Sequence, residues 1–187
     1  MHDLETITAL GGTTPRVDRF GTLTIAENDG GALASVAARM GQEAACHAVL
    51  ETLLGAVPQV GRAVLHDPEA GFWMGPAQWM IGAPRATHEG LAEQLKALLG
   101  AAASVTEQTG AWVVFDITGA AMPDLAERLC NVPIRRMQAG DVQRTVIHHM
   151  GCFVIRRQAQ DHIRILGPRA SAASLHHALV EAAQSAT

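Results

Sequence analysis

The chain has 187 residues, of which 48% are apolar, and a formal net charge of −4. This length fits one domain or two small halves that share a core, and no apolar run approaches the roughly 20 residues of a membrane span. The first residues lack a basic leader followed by an apolar block, so we expect a cytoplasmic protein without a signal peptide. Cys46, Cys130 and Cys152 are widely spaced, which disfavours a disulfide framework or zinc site and predicts buried free thiols.

The first 30 residues are rich in glycine and turn formers, and they predict an irregular N-terminal arm with one short strand at Thr22–Ala26. A long helix is predicted next, over Ala32–Leu54, ended by Gly55 and Pro58. Its apolar residues recur at helical spacing: Leu33, Val36, Ala37, Met40, Ala44 and Ala48.

Two short strands follow, AVLHD at 63–67 and FWMGPAQWMI at 72–81, around the turn DPEAG. A second helix is then predicted, with Thr87 as its N-cap and Gly100 at its C-terminal cap position. Its apolar stripe consists of Leu91, Leu95, Leu98 and Leu99.

SVTEQ at 104–108 and AWVVFDI at 111–117 predict two strands joined across Thr109-Gly110. TGAAMPDLAERL at 118–129 predicts a helix with Pro123 in its first turn, where the missing N–H costs nothing.

The last third predicts three strands and a closing helix. The strands are RTVIHHM at 144–150, CFVIRR at 152–157 and HIRIL at 162–166, and the helix runs from about Ser171 to Ala183.

Hairpins followed by helices, without parallel βαβ spacing, predict an α+β fold with antiparallel sheets packed by helices. FDITGAAMPDLAERL and IRILGPRASAASLHHAL both read as strand, glycine turn and helix, which indicates a weak internal repeat. We therefore expect the arm at 1–30 to precede one domain at 31–187, built from two similar halves at about 31–103 and 104–187.

Motifs for catalysis or cofactor binding are scarce. Neither a glycine-rich phosphate loop nor a G-x-S-x-G elbow occurs. His148-His149 in a predicted strand and His176-His177 in a predicted helix lack converging spacing, so we expect one histidine of each pair at a core edge or an interface. Asp116 follows Phe115 in a strand, and strand alternation could turn it inward, towards a backbone amide or an arginine, or leave it in solvent.

Arginine is concentrated late in the chain, where residues 128–169 hold eight arginines against two acidic residues. The only lysine is Lys96, and Phe153 is the only aromatic residue in this segment. Nucleic-acid surfaces usually mix lysine with arginine and add aromatic stacking platforms, so nucleic-acid binding is disfavoured. A protein contact or a solvated basic face is the alternative, with four candidate interface residues: Arg135, Arg136, Arg156 and Arg157.

Two of the three tryptophans, Trp73 and Trp79, flank Gly75-Pro76. Because proline cannot donate to a strand ladder, we expect the strand to be bent, bulged or interrupted there. The two indoles are interpreted as anchors of a sheet on its helices, with a subunit contact or ligand stacking as alternatives.

Four stretches stand in a distinctive order: FWMGPAQWMI, THEGLAEQLKALLGAAASVTEQTGAWVVFDITG, LCNVPI and HHMGCFVIRR…IRILGPRASAASLHHAL. The positions that carry a shared pattern are Trp73, Gly75, Pro76, Trp79, Asp116, Gly119, Leu125, Leu175 and Leu179. From about Thr8 onwards the chain resembles the gamma subunits of heterotetrameric sarcosine oxidases. Members of that family often carry an acid after the Gly-Pro, where this chain has Ala77.

The resemblance implies two similar α+β halves, as in the folate-binding domains of glycine-cleavage T-proteins. It also implies alpha, beta and delta partner subunits, which would hold FAD, FMN, NAD, zinc and tetrahydrofolate. Their complex would demethylate sarcosine oxidatively to glycine, hydrogen peroxide and formaldehyde or methylenetetrahydrofolate. This chain would then be structural, with no catalytic, cofactor-binding or metal-binding residue of its own.

Two alternatives stay open at this point. One is a stand-alone folate-binding protein of the T-protein kind, and the other is the equivalent subunit of a related N-methyl amino acid dehydrogenase, such as the N-methylglutamate enzyme. A subunit without its partners should expose apolar surface, so self-association of the isolated chain is also expected.

Overall fold

The computed structural model describes residues 6–66, 68–157 and 160–186. Along these residues the strands and helices are β1 Val17–Phe20, β2 Leu23–Glu27, β3 Gly31–Ala38, α1 Glu43–Leu54, β4 Ala63–Val64, β5 Ala70–Gly75, β6 Gln78–Pro84, α2 Leu91–Leu99, β7 Ala103–Glu107, β8 Trp112–Thr118, α3 Met122–Leu129, β9 Val142–Ile147, β10 Met150–Arg156, β11 His162–Pro168 and α4 Ala172–Ala186. None of these helices is both long and apolar enough to cross a membrane.

The chain forms two compact units. Unit 1 comprises the described residues of Met1–Asp29, Ala111–Ala139 and Gln143–Thr187, and unit 2 comprises those of Gly30–Gly110 and Gly140–Val142. Unit 1 therefore takes in the segment that the sequence assigns to a separate arm, and the chain returns briefly to unit 2 late in its course.

Unit 1 contains a six-stranded sheet in the order β1-β2-β8-β11-β10-β9. Helices α3 and α4 contact one another, and their buried Leu125, Leu175 and Leu179 share a core with alternate strand residues such as Phe115 and Ile117. Alternation is regular along β8, where positions 113, 115 and 117 are buried and their neighbours are half-buried. One face of the sheet thus meets the helices, and the other face presents polar side chains such as Asp116.

Unit 2 contains a five-stranded sheet in the order β4-β5-β6-β3-β7, and its paired strands are antiparallel. Helices α1 and α2 each bury one stripe, at Cys46, Leu50 and Leu54 and at Leu91, Leu95 and Leu99. These stripes pack with sheet residues such as Val36 and Ile81 in one core cluster. The predicted α+β class with antiparallel sheets and packed helices is confirmed.

The long helix predicted over Ala32–Leu54 is wrong in its first half. Residues Gly31–Ala38 form β3, with Ala32, Ala34 and Val36 buried in strand alternation. Met40, which fits the helical pattern, is 96% exposed. Gly41 then has a positive φ of 78°, which an L residue rarely adopts, so the helix begins only at Glu43.

The predicted single strand over FWMGPAQWMI is a hairpin. β5 and β6 pair through it, Trp73 lies opposite Trp79, and the register shifts between Trp73 and Gly75. The expected interruption at Gly75-Pro76 is therefore confirmed, and it is the turn of the hairpin. Of the predicted turn DPEAG, Ala70 and Gly71 already belong to β5, and its first residue, Asp67, lies outside the described residues.

Four further expectations differ from the structure. Thr87 does not cap α2, because its hydroxyl donates to the Pro84 carbonyl at 3.2 Å and the helix begins after Gly90. β7 and β8 belong to different sheets, so the chain leaves unit 2 between them rather than turning back in a hairpin. His148 and His149 form the turn between β9 and β10 with φ of 47° and 68°, not a strand. The N-terminal segment contains the unexpected strand β1 at Val17–Phe20, whereas the short strand expected at Thr22–Ala26 is confirmed as β2.

Candidate functional site

Asp116 is the centre of a polar cluster on the sheet face of unit 1 that points away from the helices. Its carboxylate accepts two hydrogen bonds from the Arg164 guanidinium, from Nε and from Nη2, each at 2.8 Å. His162 Nε2 lies 2.9 Å from Oδ1, and the Asn28 amide donates to Oδ2 at 2.7 Å. Strand register explains the arrangement, because Asp116 on β8 pairs with Arg164 on β11, and His162 lies two residues earlier on the same face.

Two opposed effects set the pKa of Asp116. Burial alone would raise it, but the hydrogen bonds from His162 and Arg164, the charge of Arg164 and the bond from Asn28 together lower the pKa well below its usual range. The side chains of Asp116 and Arg164 are 16% and 27% exposed. This carboxylate is therefore an ion-pair and hydrogen-bond acceptor whose oxygens are already occupied, an arrangement that stabilises the sheet. Of the alternatives that the sequence allowed for Asp116, the arginine partner is the one observed.

His176 and Asp18 form a second pair in unit 1, which the sequence did not indicate. His176 on α4 is 9% exposed, and its Nε2 lies 2.7 Å from Oδ2 of Asp18 on β1. Arg16 contacts the same carboxylate, with Nε 3.0 Å from Oδ2, and it lowers the pKa of Asp18 together with His176 against the effect of burial. The contact between His176 and Asp18 links the edge strand β1 to the last helix, α4.

We expected one histidine of each adjacent pair to lie at a core edge or an interface, and the structure shows this for His176-His177. His176 is buried at the core edge, whereas His177 is exposed and lies 3.4 Å from Glu181. His148 and His149 are both exposed at the tip of their turn. Within the described ranges, no group of three or more histidine, cysteine, aspartate or glutamate side chains is placed to hold a metal ion.

Glu27 is a buried carboxylate that sequence reasoning missed. It is 5% exposed, and it accepts the backbone N–H of Leu10 at 3.0 Å and of Arg16 at 3.1 Å. Arg169 adds a bond from Nη2 to the Ile7 carbonyl at 3.2 Å. The non-strand residues at the start of the described chain are thus held against unit 1 through their backbone.

The four candidate interface arginines lie on two separate elements. Arg135 and Arg136 are exposed in the short 3-10 turn Ile134–Arg136, and Arg135 pairs with Asp124 and with Glu127, the latter at 2.7 Å. Arg156 and Arg157 lie at the end of β10 and are half-buried, and Arg156 donates to the Gln160 carbonyl. The charge of Arg135 is therefore already balanced by two acids on α3, and Arg136 is likewise exposed.

Both hairpin tryptophans take part in the packing of unit 2. Trp79 is 3% exposed, its indole N–H donates to the Pro58 carbonyl at 2.9 Å, and the His47 ring meets it edge-on at 5.3 Å. Trp73 is half-buried against the same core cluster. The interpretation of these indoles as packing anchors is confirmed, while a subunit contact through Trp73 or Trp79 stays a prediction.

A shallow groove lies beside the helices of unit 2. It has a volume of about 580 Å³ and is lined by Ala48, Val49, Thr52, Leu53, Glu69 and Leu98. Leu98 was predicted to join the buried stripe of α2, but it is 59% exposed, because only Leu91, Leu95 and Leu99 face the core. The groove is apolar apart from Thr52 and Glu69, and its chemistry suits a protein side chain better than a charged metabolite.

No protein-family model matches this sequence, and no curated protein sequence matches it. The fold is similar to a chain of the heterotetrameric sarcosine oxidase from Corynebacterium sp. U-96, solved in complex with pyrrole 2-carboxylate. That similarity has a TM-score of 0.76 at 20% identity and covers 90% of this chain and 87% of that one.

The fold is also similar to the glycine cleavage system aminomethyltransferase T from Bartonella henselae. Here the TM-score is 0.60 at 14% identity, over 82% of this chain and 44% of that protein. At these identities the similarities establish a shared α+β fold. This chain spans less than half the length of the aminomethyltransferase.

Proposed function

We propose that this chain is a non-catalytic, gamma-type subunit of a heterotetrameric sarcosine oxidase. The observation that carries the proposal is the fold similarity to a chain of such an enzyme at a TM-score of 0.76, over 90% of one chain and 87% of the other. The similarity covers most of both chains, which supports assigning this chain the place that the similar chain has in its enzyme.

The chemistry of the described residues supports a structural role. The carboxylates that lie inside unit 1, those of Asp116 and Glu27, already accept hydrogen bonds from the chain's own groups. His176 is likewise engaged by Asp18. On this proposal, as the family resemblance implies, FAD, FMN, NAD, zinc and tetrahydrofolate would be bound by the alpha, beta and delta subunits, and the assembled enzyme would oxidise sarcosine.

The proposal is tested by producing a tagged form of this chain with and without the alpha, beta and delta chains of the same organism. Alone, the chain should be colourless in the flavin absorption region. With its partners, it should retain a yellow complex that consumes sarcosine and produces hydrogen peroxide. A tagged chain that never retains the flavoprotein chains would refute the subunit role.

The same complex distinguishes the related dehydrogenase. Sarcosine and N-methylglutamate are offered separately, and the substrate that reduces the bound flavin identifies the enzyme. If N-methylglutamate reduces the flavin in preference to sarcosine, the structural role stands, and the chain is a subunit of the related N-methylglutamate enzyme.

A stand-alone folate-binding protein is the second candidate, and the similarity to aminomethyltransferase T favours it. Calorimetric titration of the isolated chain with tetrahydrofolate tests it. Saturable binding at micromolar concentrations or below would favour this candidate over the scaffold, while heats equal to those of dilution would exclude it.

The arginine interface belongs to the same proposal. Because Arg135 is paired with acids on α3, reversing its charge would also break ion pairs within unit 1. Arg136→Glu therefore tests the interface with less effect on the fold. We expect Arg136→Glu to weaken assembly with the alpha and beta chains while leaving thermal stability unchanged. Unchanged assembly would assign Arg136 to a solvated surface.

A further inference from the structure

Helix α1 carries its exposed charged or titratable side chains on one flank, at Glu43, His47 and Glu51, and leaves the rest of its outer surface uncharged. It buries Cys46, Leu50 and Leu54 on one side. Its exposed positions on another side are uncharged, namely Ala44, Ala45, Ala48 and Thr52, and the half-buried Val49 and Leu53 continue this surface. A helix that is apolar around most of its circumference is typically covered on both sides.

The apolar surface of α1 continues across the groove to α2. Val49 and Leu53 form one wall and Leu98, at 59% exposure, forms the other, with Ala48 and Thr52 at the rim. Twelve residues give α1 a length of about 18 Å, which corresponds to about three turns of a second helix lying alongside it. Apolar anchors at i, i+3 or i+4 and i+7 of such a helix would fit a groove of these dimensions.

The charges of unit 2, including those on α1 and α2, are predominantly acidic. Unit 2 holds eight acidic residues against four arginine or lysine residues, a net charge of −4, whereas unit 1 holds ten of each. On α1 and α2 themselves the charged side chains are Glu43, Glu51, Glu93 and Lys96. Glu69 lines the groove and lies 3.3 Å from His88. A partner segment with basic residues beside its apolar face would complement this surface.

We propose that the groove between α1 and α2 binds an amphipathic helix of a partner subunit, with an apolar face towards Val49, Leu53 and Leu98 and with lysine or arginine at its edges. The inference rests on the proposed function and assigns the surface by which the subunit joins its complex. Burial of the groove residues would supply the affinity, and the acidic surroundings would orient the partner helix.

Ala48→Glu combined with Leu98→Glu tests the proposal. Both positions are exposed, and glutamate is a good helix former, so folding should be preserved. The affinity of the full-length variant for the complex of alpha, beta and delta chains should fall at least about tenfold, because two uncharged side chains that line the groove are replaced by charged ones. Met40→Glu is the matched control, since Met40 is 96% exposed in the same unit but lies outside the groove, and its affinity should be unchanged.

Salt dependence tests the charge argument in the unmodified chain. Raising the salt concentration from about 50 mM to about 300 mM shortens the screening length, so the dissociation constant should increase if basic edges meet the acidic surface. A dissociation constant that is independent of salt would overturn the assignment of a basic partner helix.

The outcomes separate the two proposals. If the unmodified chain does not join the complex, the subunit role fails and the groove assignment falls with it. If the unmodified chain joins and the double variant joins equally well, the groove assignment alone is overturned. Analytical ultracentrifugation of the isolated chain is the remaining experiment. If the chain is a dimer and the double variant is a monomer, a second copy occupies the groove, and the assignment of a partner helix is overturned.

Discussion

Replacing Asp116 by asparagine should destabilise unit 1 by leaving Arg164 without its counter-charge. The substitution keeps the size of the side chain and one carbonyl acceptor, but it removes the negative charge that accepts both guanidinium bonds at 2.8 Å. Breaking a fully buried ion pair costs about 3–5 kcal/mol, and an exposed pair is worth at most about 1 kcal/mol. With side chains 16% and 27% exposed, we expect a loss of about 2–3 kcal/mol.

Thermal unfolding followed by circular dichroism measures this loss. For a chain of this size each kcal/mol shifts the melting temperature by about 2–4 °C, so Asp116→Asn should melt roughly 4–12 °C lower. Asp161→Asn is the matched control, because Asp161 is an exposed acid in the turn before β11 and should change stability by less than about 0.5 kcal/mol.

A double-mutant cycle isolates the pair. Arg164→Met alone removes the guanidinium from a carboxylate that His162 and Asn28 still contact. The combination with Asp116→Asn removes both charges, so the double variant should be more stable than the sum of the single losses predicts. A coupling energy of at least about 1 kcal/mol is expected for groups in direct contact. Additive losses would refute the view that Asp116 and Arg164 stabilise the sheet as a pair.

The pH dependence has a definite sign. The pKa of Asp116 is lower in the folded chain than its ordinary value of 3.8. Its contribution is therefore complete above about pH 4 and is lost as the pH falls through the folded pKa. The stability difference between the unmodified chain and Asp116→Asn should be constant at neutral pH and should shrink in strong acid.

Three further changes probe other parts of the chain. Ala77 has a φ of 53° in the hairpin turn, so Ala77→Gly should raise the free energy of unfolding by about 1 kcal/mol, as chemical denaturation can measure. Glu27→Gln should cost about 1–2 kcal/mol and speed hydrogen exchange at the Leu10 amide, because the buried carboxylate that accepts it is lost. Burial, with a smaller effect of the neighbouring Cys130, raises the pKa of Cys152 to about 11, so iodoacetamide at pH 8 should modify Cys152 only very slowly.

Each of these has its own control. Ala101→Gly, in a short turn after α2, should not stabilise the chain, and stabilisation there would remove the backbone argument for Ala77. Glu181→Gln changes an exposed acid and should leave exchange at the Leu10 amide unaltered. Cys152 should react at an ordinary rate once urea unfolds the chain, and fast reaction in the folded chain would contradict its burial.

Local patterns in the sequence predicted elements whose stabilising contacts are close in the chain. α3 was predicted because Pro123 marks its first turn and because it follows a strand and a glycine turn, and α4 because its leucines recur at helical spacing. β3 was misread because alanine favours helices and because Leu33, Val36 and Met40 also fit a helical period. Strand burial in a sheet decided the conformation, and that information lies in the partner strands.

The polar clusters could be predicted only in part, for the same reason. Alternation placed Asp116 on a definite face of β8, but its partners Asn28, His162 and Arg164 are 88, 46 and 48 residues away. Such contacts depend on strand order, which the sequence alone did not provide. The pair of Asp18 and His176, 158 residues apart, left no local signal that could have revealed it.

The distribution of charge links the fold to the proposed role. In unit 1 the buried acids are used internally, Asp116 by Arg164 and Glu27 by backbone amides. In unit 2 the helices α1 and α2 carry the acids Glu43, Glu51 and Glu93, and the apolar Leu98 on α2 is 59% exposed. Buried charge with internal partners stabilises a unit, whereas acidic residues around uncovered apolar surface provide what a partner needs for both affinity and orientation. Substitutions at Asp116 should therefore change stability without changing the affinity for partners, and substitutions at Leu98 should do the reverse.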